Sequence, residues 1–420
     1  MGALFSLALK SAWNRRYSLG LTVLAIALSV TLLLGIERLR QDARDSFAQA
    51  VSGTDLIVGA RSSPIQLLLY TVFRLGEATN NMGWDSARAL AGHPAVAWTI
   101  PVSLGDSHHG FPVLGTTSAY FEHFRYGDKQ SLVLAQGKPF IGLFDAVLGA
   151  EVARKLGYGP GDRITLAHGM EGHGLTEHGD KPFTVVGILA PTGTSVDRTV
   201  HIGLEAMEAI HLDWQGGAPL PGLNIPAELV KKFDLTPKSI TALLVGLKSR
   251  AAVFTVQRQI ERFPDEPLMA VLPGVALSQL WEVVGLVEQA LLAVSALVVA
   301  VGLAGLVAVV LAGLDQRRRE LAILRANGAR PRDIFLLLAL EGGAITLAGA
   351  VAATLLLAAL VPALAPWAQA QYGLTLGLTP PSAEELKLLG WVLLVGLLAS
   401  LFPGWRAYRL SLADGLTPRV

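Results

Sequence analysis

The chain has 420 residues, a formal net charge of +1, no cysteine and 52% hydrophobic residues. The missing cysteines exclude disulfide frameworks, thiol catalysis and thiolate metal sites. A mean hydropathy of +0.48 points away from an ordinary soluble protein. The charge is partitioned, because residues 37–285 hold 21 Lys/Arg and 25 Asp/Glu, leaving 13 and 8 for the remainder. No basic stripe runs through that acidic portion, which excludes nucleic acid as a partner.

Lys10, Arg15 and Arg16 precede an apolar run over residues 19–36. A positive start before an apolar stretch also suits a secretory signal. Here the cleavage-like Ala48-Gln49-Ala50 lies about a dozen polar residues beyond the apolar end, so the run is read as an uncleaved anchor. Further apolar runs occupy residues 289–314, 335–361 and 388–405. Each has the roughly 18 or more residues that a helix needs to cross about 30 Å of hydrocarbon.

Between the first two runs the pattern is that of a folded domain. Residues 37–49 continue the first helix as a charged stalk. Strands are expected at 55–59, 96–102, 111–114, 183–189 and 242–247, and helices at 85–91, 203–211 and 250–263. A strand, short helix, glycine-proline turn and second strand are read in residues 147–166. Strands and helices mix without regular alternation, so the expected class is a helical membrane protein with four spans and a large α+β domain between the first and second.

The most informative stretch lies between the second and third runs, at residues 315–334. It carries Arg317, Arg318, Arg319, Arg325, Arg330 and Arg332 against Asp315, Glu320 and Asp333. Such a short charged stretch between two spans lies at a membrane surface, and its arginine excess assigns that surface to the cytoplasm. Leu321 and Leu324 share a helical face. Asn327-Gly328 supplies a helix stop and Pro331 a restart in the next helix's first turn. Residues 363–387 carry only Glu384, Glu385 and Lys387, so they are read as external. Arg406, Arg409 and Arg419 follow the last span and place the C-terminus inside.

One span, a large external domain, then three spans with an arginine-rich loop after the second: this arrangement resembles the FtsX-like permease family, which includes the MacB macrolide-exporter and LolC/LolE lipoprotein-release permeases. The match is strongest at Arg317-Arg-Arg-Glu-Leu-Ala-Ile-Leu-Arg-Ala-Asn-Gly-Ala, which looks like the family's coupling helix, with Asn327 in place of the usual leucine-like residue. Leu148-Gly-Ala-Glu-Val-Ala-Arg-Lys-Leu-Gly with Gly161-Asp162, and Phe402-Pro-Gly-Trp-Arg-Ala, fit it too. The resemblance divides the chain into a cytoplasmic N-terminus (1–18), first span (19–36), stalk and periplasmic MacB-like domain (37–285) and second span (286–314). The coupling helix (315–334), third span (335–361), periplasmic loop (362–387), fourth span (388–405) and cytoplasmic tail (406–420) follow.

The resemblance implies a homodimeric permease in the bacterial inner membrane, gripping a separate cytoplasmic ATPase that holds the ATP and magnesium. Arg317, Arg318, Arg319, Glu320, Leu321, Ile323, Leu324 and Arg325 are the implied ATPase contact. The external domain would act in export, lipoprotein release or activation of a periplasmic partner. Alternatives are an adaptor that regulates a cell-wall enzyme and a component of a metal-acquisition system. The chain itself carries no P-loop, no H-E-x-x-H and no G-x-S-x-G, so it is not read as an enzyme.

Metal acquisition is suggested by one stretch alone. His168, His173 and His178 recur at five-residue spacing, with Glu171, Glu177 and Asp180 beside them. Imidazole with carboxylate suits zinc, and these three histidines are the candidate ligands. His108 and His109 form a second, smaller group. Glu288 and Glu341 stand near span ends, where pairing with arginine is expected. Gly302, Gly305, Gly342, Gly343 and Gly349 suit close helix approach, within the chain or between copies.

Overall fold

The computed structural model describes all residues except 1–14, 51, 77–78, 170–177, 216–217, 220–224, 317–322, 324, 327, 373–375, 378 and 410–420. The chain divides into two compact units. Residues 1–42, 285–366 and 376–420 make a helical unit, and most of the remainder, residues 43–284, makes a mixed α/β unit.

The first unit is made of the apolar lengths of four helices: α1 (Arg16–Gln49), α6 (Pro273–Gln316), α7 (Pro331–Tyr372) and α8 (Ala383–Arg409). Each is long and apolar enough to cross a membrane. Inside lipid a helix is the natural solution, because it satisfies its own backbone polar groups. The helices bury one stripe against one another and leave the rest apolar and exposed. On α1 the stripe is Ile26, Val30, Leu33 and Leu34, while Leu21, Leu24, Leu28 and Leu32 face outward. The stripe's spacing of four, three and one residues follows the 3.6-residue period.

Small residues let these helices close up within the chain. A Cβ on Gly349 would meet Ile26 at 2.5 Å, and one on Gly302 would meet Ser29 Oγ at 3.1 Å, while Gly342 lies against Ser400 and Gly305 faces open space. Pro362 and Pro366 do not end α7, which runs on to Tyr372 through part of the stretch expected as loop. At its other end α7 opens with Pro331 in its first turn, and the Asp333 carboxylate accepts the Arg330 N–H at 2.8 Å. Gly328 takes φ +93°, the left-handed conformation a helix stop favours.

The second unit is built on one mixed sheet. Its strands are β1 (Leu56–Ala60), β2 (Val96–His108), β3 (Phe111–Thr116), β4 (Leu134–Gly137), β5 (Asp145–Leu148) and β6 (Arg163–Ile164). β7 (Ala167–His168), β8 (Phe183–Leu189), β9 (Val200–Gly203), β10 (Ala242–Leu247) and β11 (Leu268–Val271) complete it. The spatial order is β11-β1-β10-β2-β3-β9-β5-β8-β4, with β7 added to β2 and β6 to β8. β9 runs parallel to β3 and β5 parallel to β8, and the other pairs are antiparallel.

Alternation along the strands sorts side chains into two faces. Leu56 and Val58 of β1 and Leu243 and Val245 of β10 pack with helices α2 (Trp84–Ala91) and α5 (Val253–Glu261). On that same face Ala146 and Leu148 of β5 join Val200 and Ile202 of β9, with α3 (Ala150–Leu156) and α4 (Leu204–His211). The intervening Ile57, Ala242, Leu244 and Val147 enter the core on the opposite face. Burial on both faces explains why these strands read as unbroken apolar runs.

His201 stands inside that opposite core. His201 of β9 is fully buried, donates through Nδ1 to the Val147 carbonyl at 3.2 Å, and leaves Nε2 without a hydrogen bond among the described residues. Burial first, and then the charge of Arg74, push its pKa from 6.5 to about 3. Between those values the unfolded chain binds a proton that the folded chain refuses, so stability falls as pH falls through that window. His201→Gln removes this proton. Its unfolding free energy, followed by denaturant titration of the detergent-solubilised chain between pH 6 and 4.5, is expected to lose about 1.4 kcal/mol less per pH unit than that of the unsubstituted chain. Equal slopes would show that His201 titrates normally.

Candidate metal centre

Asp106, His168, His178 and His211 each offer one ligand atom, and the four atoms lie within 4.8 Å of one another. Asp106 sits near the end of β2, where the pairing with β3 shifts register between Leu104 and Ser107. Such a bulge re-aims a side chain out of the regular alternation. β7 brings the first histidine, because His168 is the direct cross-strand partner of Asp106. Its Nδ1 lies 3.0 Å from Asp106 Oδ1.

His211 closes α4, and its Nε2 lies 3.4 Å from the same oxygen and 3.2 Å from His168 Nδ1. The Met207 carbonyl accepts from His211 Nδ1 at 2.8 Å. A carbonyl only accepts, so Nδ1 carries the proton and a neutral His211 turns the Nε2 lone pair inward. His178 stands behind these two. Its backbone N–H bonds to the Leu166 carbonyl at 2.8 Å, and its Nε2 is 4.0 Å from Asp106 Oδ1. The Trp214 ring covers it, with centroids 4.3 Å apart.

The electrostatics are those of a buried carboxylate among imidazoles. Burial is the largest influence on Asp106 and pushes its pKa up. Hydrogen bonds from His168 and His211, with the charges of His211 and His178, outweigh it and hold the group at about 2. For His178 burial dominates and lowers the pKa to about 4, so its ring is neutral at neutral pH. For His211 burial again acts downward, but the hydrogen bond and charge of Asp106 raise it overall. The site therefore holds one fixed negative charge with a ring nitrogen of each of the three histidines within 4.0 Å of it.

An outer ion pair braces the site. Lys181 is fully buried and donates to both carboxylate oxygens of Asp213 at 2.9 Å, and to Asp180 at 2.7 Å. Asp213 follows His211 by two residues and also accepts the Ile225 N–H at 3.2 Å. Lys181 follows His178 by three, and its N–H bonds to the His178 carbonyl at 3.2 Å. The pair thus ties the segment carrying His178 to the end of α4.

Of the expected ligands, His168 and His178 come together and His173 lies outside the described residues. Five-residue spacing is not what assembles the described cluster, because Asp106 and His211 join from distant positions that sequence reading missed. The available signal was an acid inside an apolar strand and a histidine at the last turn of an apolar helix face. The second group does not gather as a site: His108 bonds to the Thr165 carbonyl at 2.6 Å and the Tyr158 hydroxyl at 3.2 Å. In the helical unit Glu341 pairs with Arg15 at 2.7 Å and Glu288 lies 3.8 Å from Arg40. Of the expected ATPase contact, Arg317, Arg318, Arg319, Glu320, Leu321 and Leu324 lie outside the described residues, while Ile323 and Arg325 are helical and Ile323 is exposed.

Removing one partner of a buried ion pair strands the other charge, a loss of about 3–5 kcal/mol. Lys181→Met is expected to lower the denaturant stability of this unit by that amount, read from tryptophan emission of the whole chain. The double change Lys181→Met with Asp213→Leu is expected to recover much of it. A single change costing under about 1 kcal/mol would mean that the pair is effectively solvated.

The FtsX-like permease C-terminal family matches residues 292–412, and the MacB-like periplasmic core domain matches residues 19–263. Among solved structures, the periplasmic region of MacB from Actinobacillus actinomycetemcomitans is 12% identical at a TM-score of 0.33, over 56% of this chain and 94% of that one. The extracellular domain of the noncanonic ABC-type transporter YknZ from Gram-positive bacteria is 13% identical at 0.29, over 52% and 99%. No curated protein matches the chain. With its inserted mixed-sheet domain matched by one family and its last three apolar helices by the other, the chain belongs to the FtsX-like, MacB-type permeases of ABC transporters.

Proposed function

We propose that this chain is the membrane subunit through which a separate cytoplasmic ATPase drives movement of the inserted domain, with ATP and magnesium held by that partner. The observation that carries the reading is the continuity of two helices. α1 runs unbroken from its apolar span through the charged residues 37–49, and α6 runs unbroken from Pro273 through its apolar span to Gln316. A continuous helix transmits displacement, whereas a flexible linker absorbs it. In sequence α6 is followed by the arginine-rich segment at 317–325, and the basic flanks support a cytoplasmic side of an inner membrane for that segment and both termini. The inserted domain then lies on the periplasmic side. A second copy of the permease completes the assembly, and the work is delivered to exported cargo, a lipoprotein or a periplasmic partner.

Arg318→Glu and Arg325→Glu test this at the proposed contact. Truncating a charge in a hydrogen-bonded interface costs about 2 kcal/mol or more, which is roughly 30-fold in affinity. Reversal of both charges is expected to abolish co-purification of the ATPase and the permease-dependent part of its turnover, with the thermal midpoint of the permease unchanged. Intact complex and intact turnover in the doubly reversed chain would remove the coupling role.

A further inference from the structure

The polar atoms of the Asp106 cluster do not satisfy one another. His178 is fully buried, yet neither of its ring nitrogens makes a hydrogen bond among the described residues, and Asp106 Oδ2 is likewise buried without one. Leaving such groups unbonded in the interior is costly. His168 Nδ1 and His211 Nε2 both converge on the single oxygen Oδ1, and they stand 3.2 Å from each other. Two nitrogens that close tolerate at most one proton between them. A hydrogen-bond network therefore leaves lone pairs over at this point, whereas one cation takes up one from each of the four residues.

From this geometry we propose that Asp106, His168, His178 and His211 bind a single zinc ion in the inserted domain. Three imidazoles and one carboxylate form a complete four-coordinate set for a borderline divalent ion, and zinc accepts it without preference from its electrons. Magnesium and calcium require mostly oxygen ligands, six or more of them, and are excluded by three nitrogens. A tetrahedron with bonds of about 2.0–2.1 Å sets its ligand atoms about 3.3 Å apart. The separations of 3.0, 3.2 and 3.4 Å already match this, and His178 at 4.0 Å has only to move inward.

The surroundings are those of a built site. The Met207 carbonyl fixes the tautomer of His211, the kind of outer contact that orients a metal-ligating histidine. The Lys181–Asp213 pair fixes the segment carrying His178 against the end of α4. Asp106 and His178 are closed off, while His168 and His211 keep 38% and 26% of their side chains exposed. The ion therefore has a path from solvent, and the site exchanges its ion. Zinc binding does not depend on whether an ATPase engages the cytoplasmic segment, so the two readings stand or fall separately.

The test uses the whole chain, purified in detergent without a polyhistidine tag and stripped with a chelator. Titration with zinc chloride against a chromogenic chelator is expected to give one ion per chain, with no displacement by magnesium or calcium. Cobalt chloride, used as a spectroscopic probe, is expected to produce the visible absorption of a tetrahedral nitrogen-oxygen site and to quench Trp214. His178→Ala, His211→Ala and the isosteric Asp106→Asn are each expected to weaken binding by at least the about 10–100-fold typical of losing an outer partner. His93→Ala, in a separate contact with Gln259, leaves affinity unchanged. Because a ligand change also risks the fold, the unsubstituted chain supplies a second measurement: zinc raises its thermal midpoint in proportion to the logarithm of its concentration. No stoichiometric binding, or binding unaltered in His178→Ala and Asp106→Asn, overturns the proposal. So does binding that is lost in His173→Ala but retained in His211→Ala.

Discussion

Two ion pairs bracket the first membrane helix. At one end Arg15 meets Glu341 of α7 at 2.7 Å. At the other Arg38 donates twice to Glu385 of α8, at 2.9 and 3.1 Å, and once to the Thr379 carbonyl. The two arginines are 23 positions apart, about 35 Å along a helix, close to the roughly 30 Å of hydrocarbon to be crossed. Charge is expensive inside lipid and tolerated when paired near its edges. The pairs therefore fix how deep α1 sits and which way it faces. A shift along its axis would draw a charge inward, and a rotation would strand Glu385, which is nearly fully buried. Everything packed on the α1 stripe depends on that registration, including the close approach of Ile26 to Gly349.

Much of this architecture was legible because its signals are local. Long apolar runs with arginine on one flank report spans whatever surrounds them, and β8 and β10 occupy the very residues 183–189 and 242–247 read from the sequence. The order of the sheet was not legible, since Leu56 pairs with Val245 across the whole domain and nothing in either strand names its neighbour. The extent of α7 beyond residue 361 was not legible either. Proline removes a backbone donor, yet a membrane helix tolerates it where neighbours satisfy the freed carbonyl, and α7 passes through both Pro362 and Pro366.

The cluster was half legible for the same reason. His168 and His178 stand in one conspicuous stretch, but Asp106 lies 62 residues before the first of them and His211 lies 43 after it. What unites them is topology. β2 is the seam of the sheet: its first half pairs with β10 and its second half with β3 and β7. The bulge in that second half points an acid at the histidine opposite, and α4 returns across the sheet to deliver the other. A single sequence holds no trace of a contact made by a register shift.

That placement bears on what an ion could do there. The four ligands belong to the seam strand, the short strand beside it, the segment after it and the end of α4, so coordination fastens a corner of the domain that is otherwise held by the buried Lys181–Asp213 pair. At a hundred times its dissociation constant a ligand that binds only the folded state contributes about 2.7 kcal/mol, comparable to the effect of stranding one buried charge. An ion bound there would therefore act on the same corner as the salt bridge, with similar strength. Filling or emptying the site shifts how readily this corner opens, while the apolar cores on the two faces of the sheet, which contain none of the four ligands, stay as they are. A domain whose core is fixed and one of whose polar corners would respond to an exchangeable ion could have its local stability set by the solution around it, with no rearrangement of the fold.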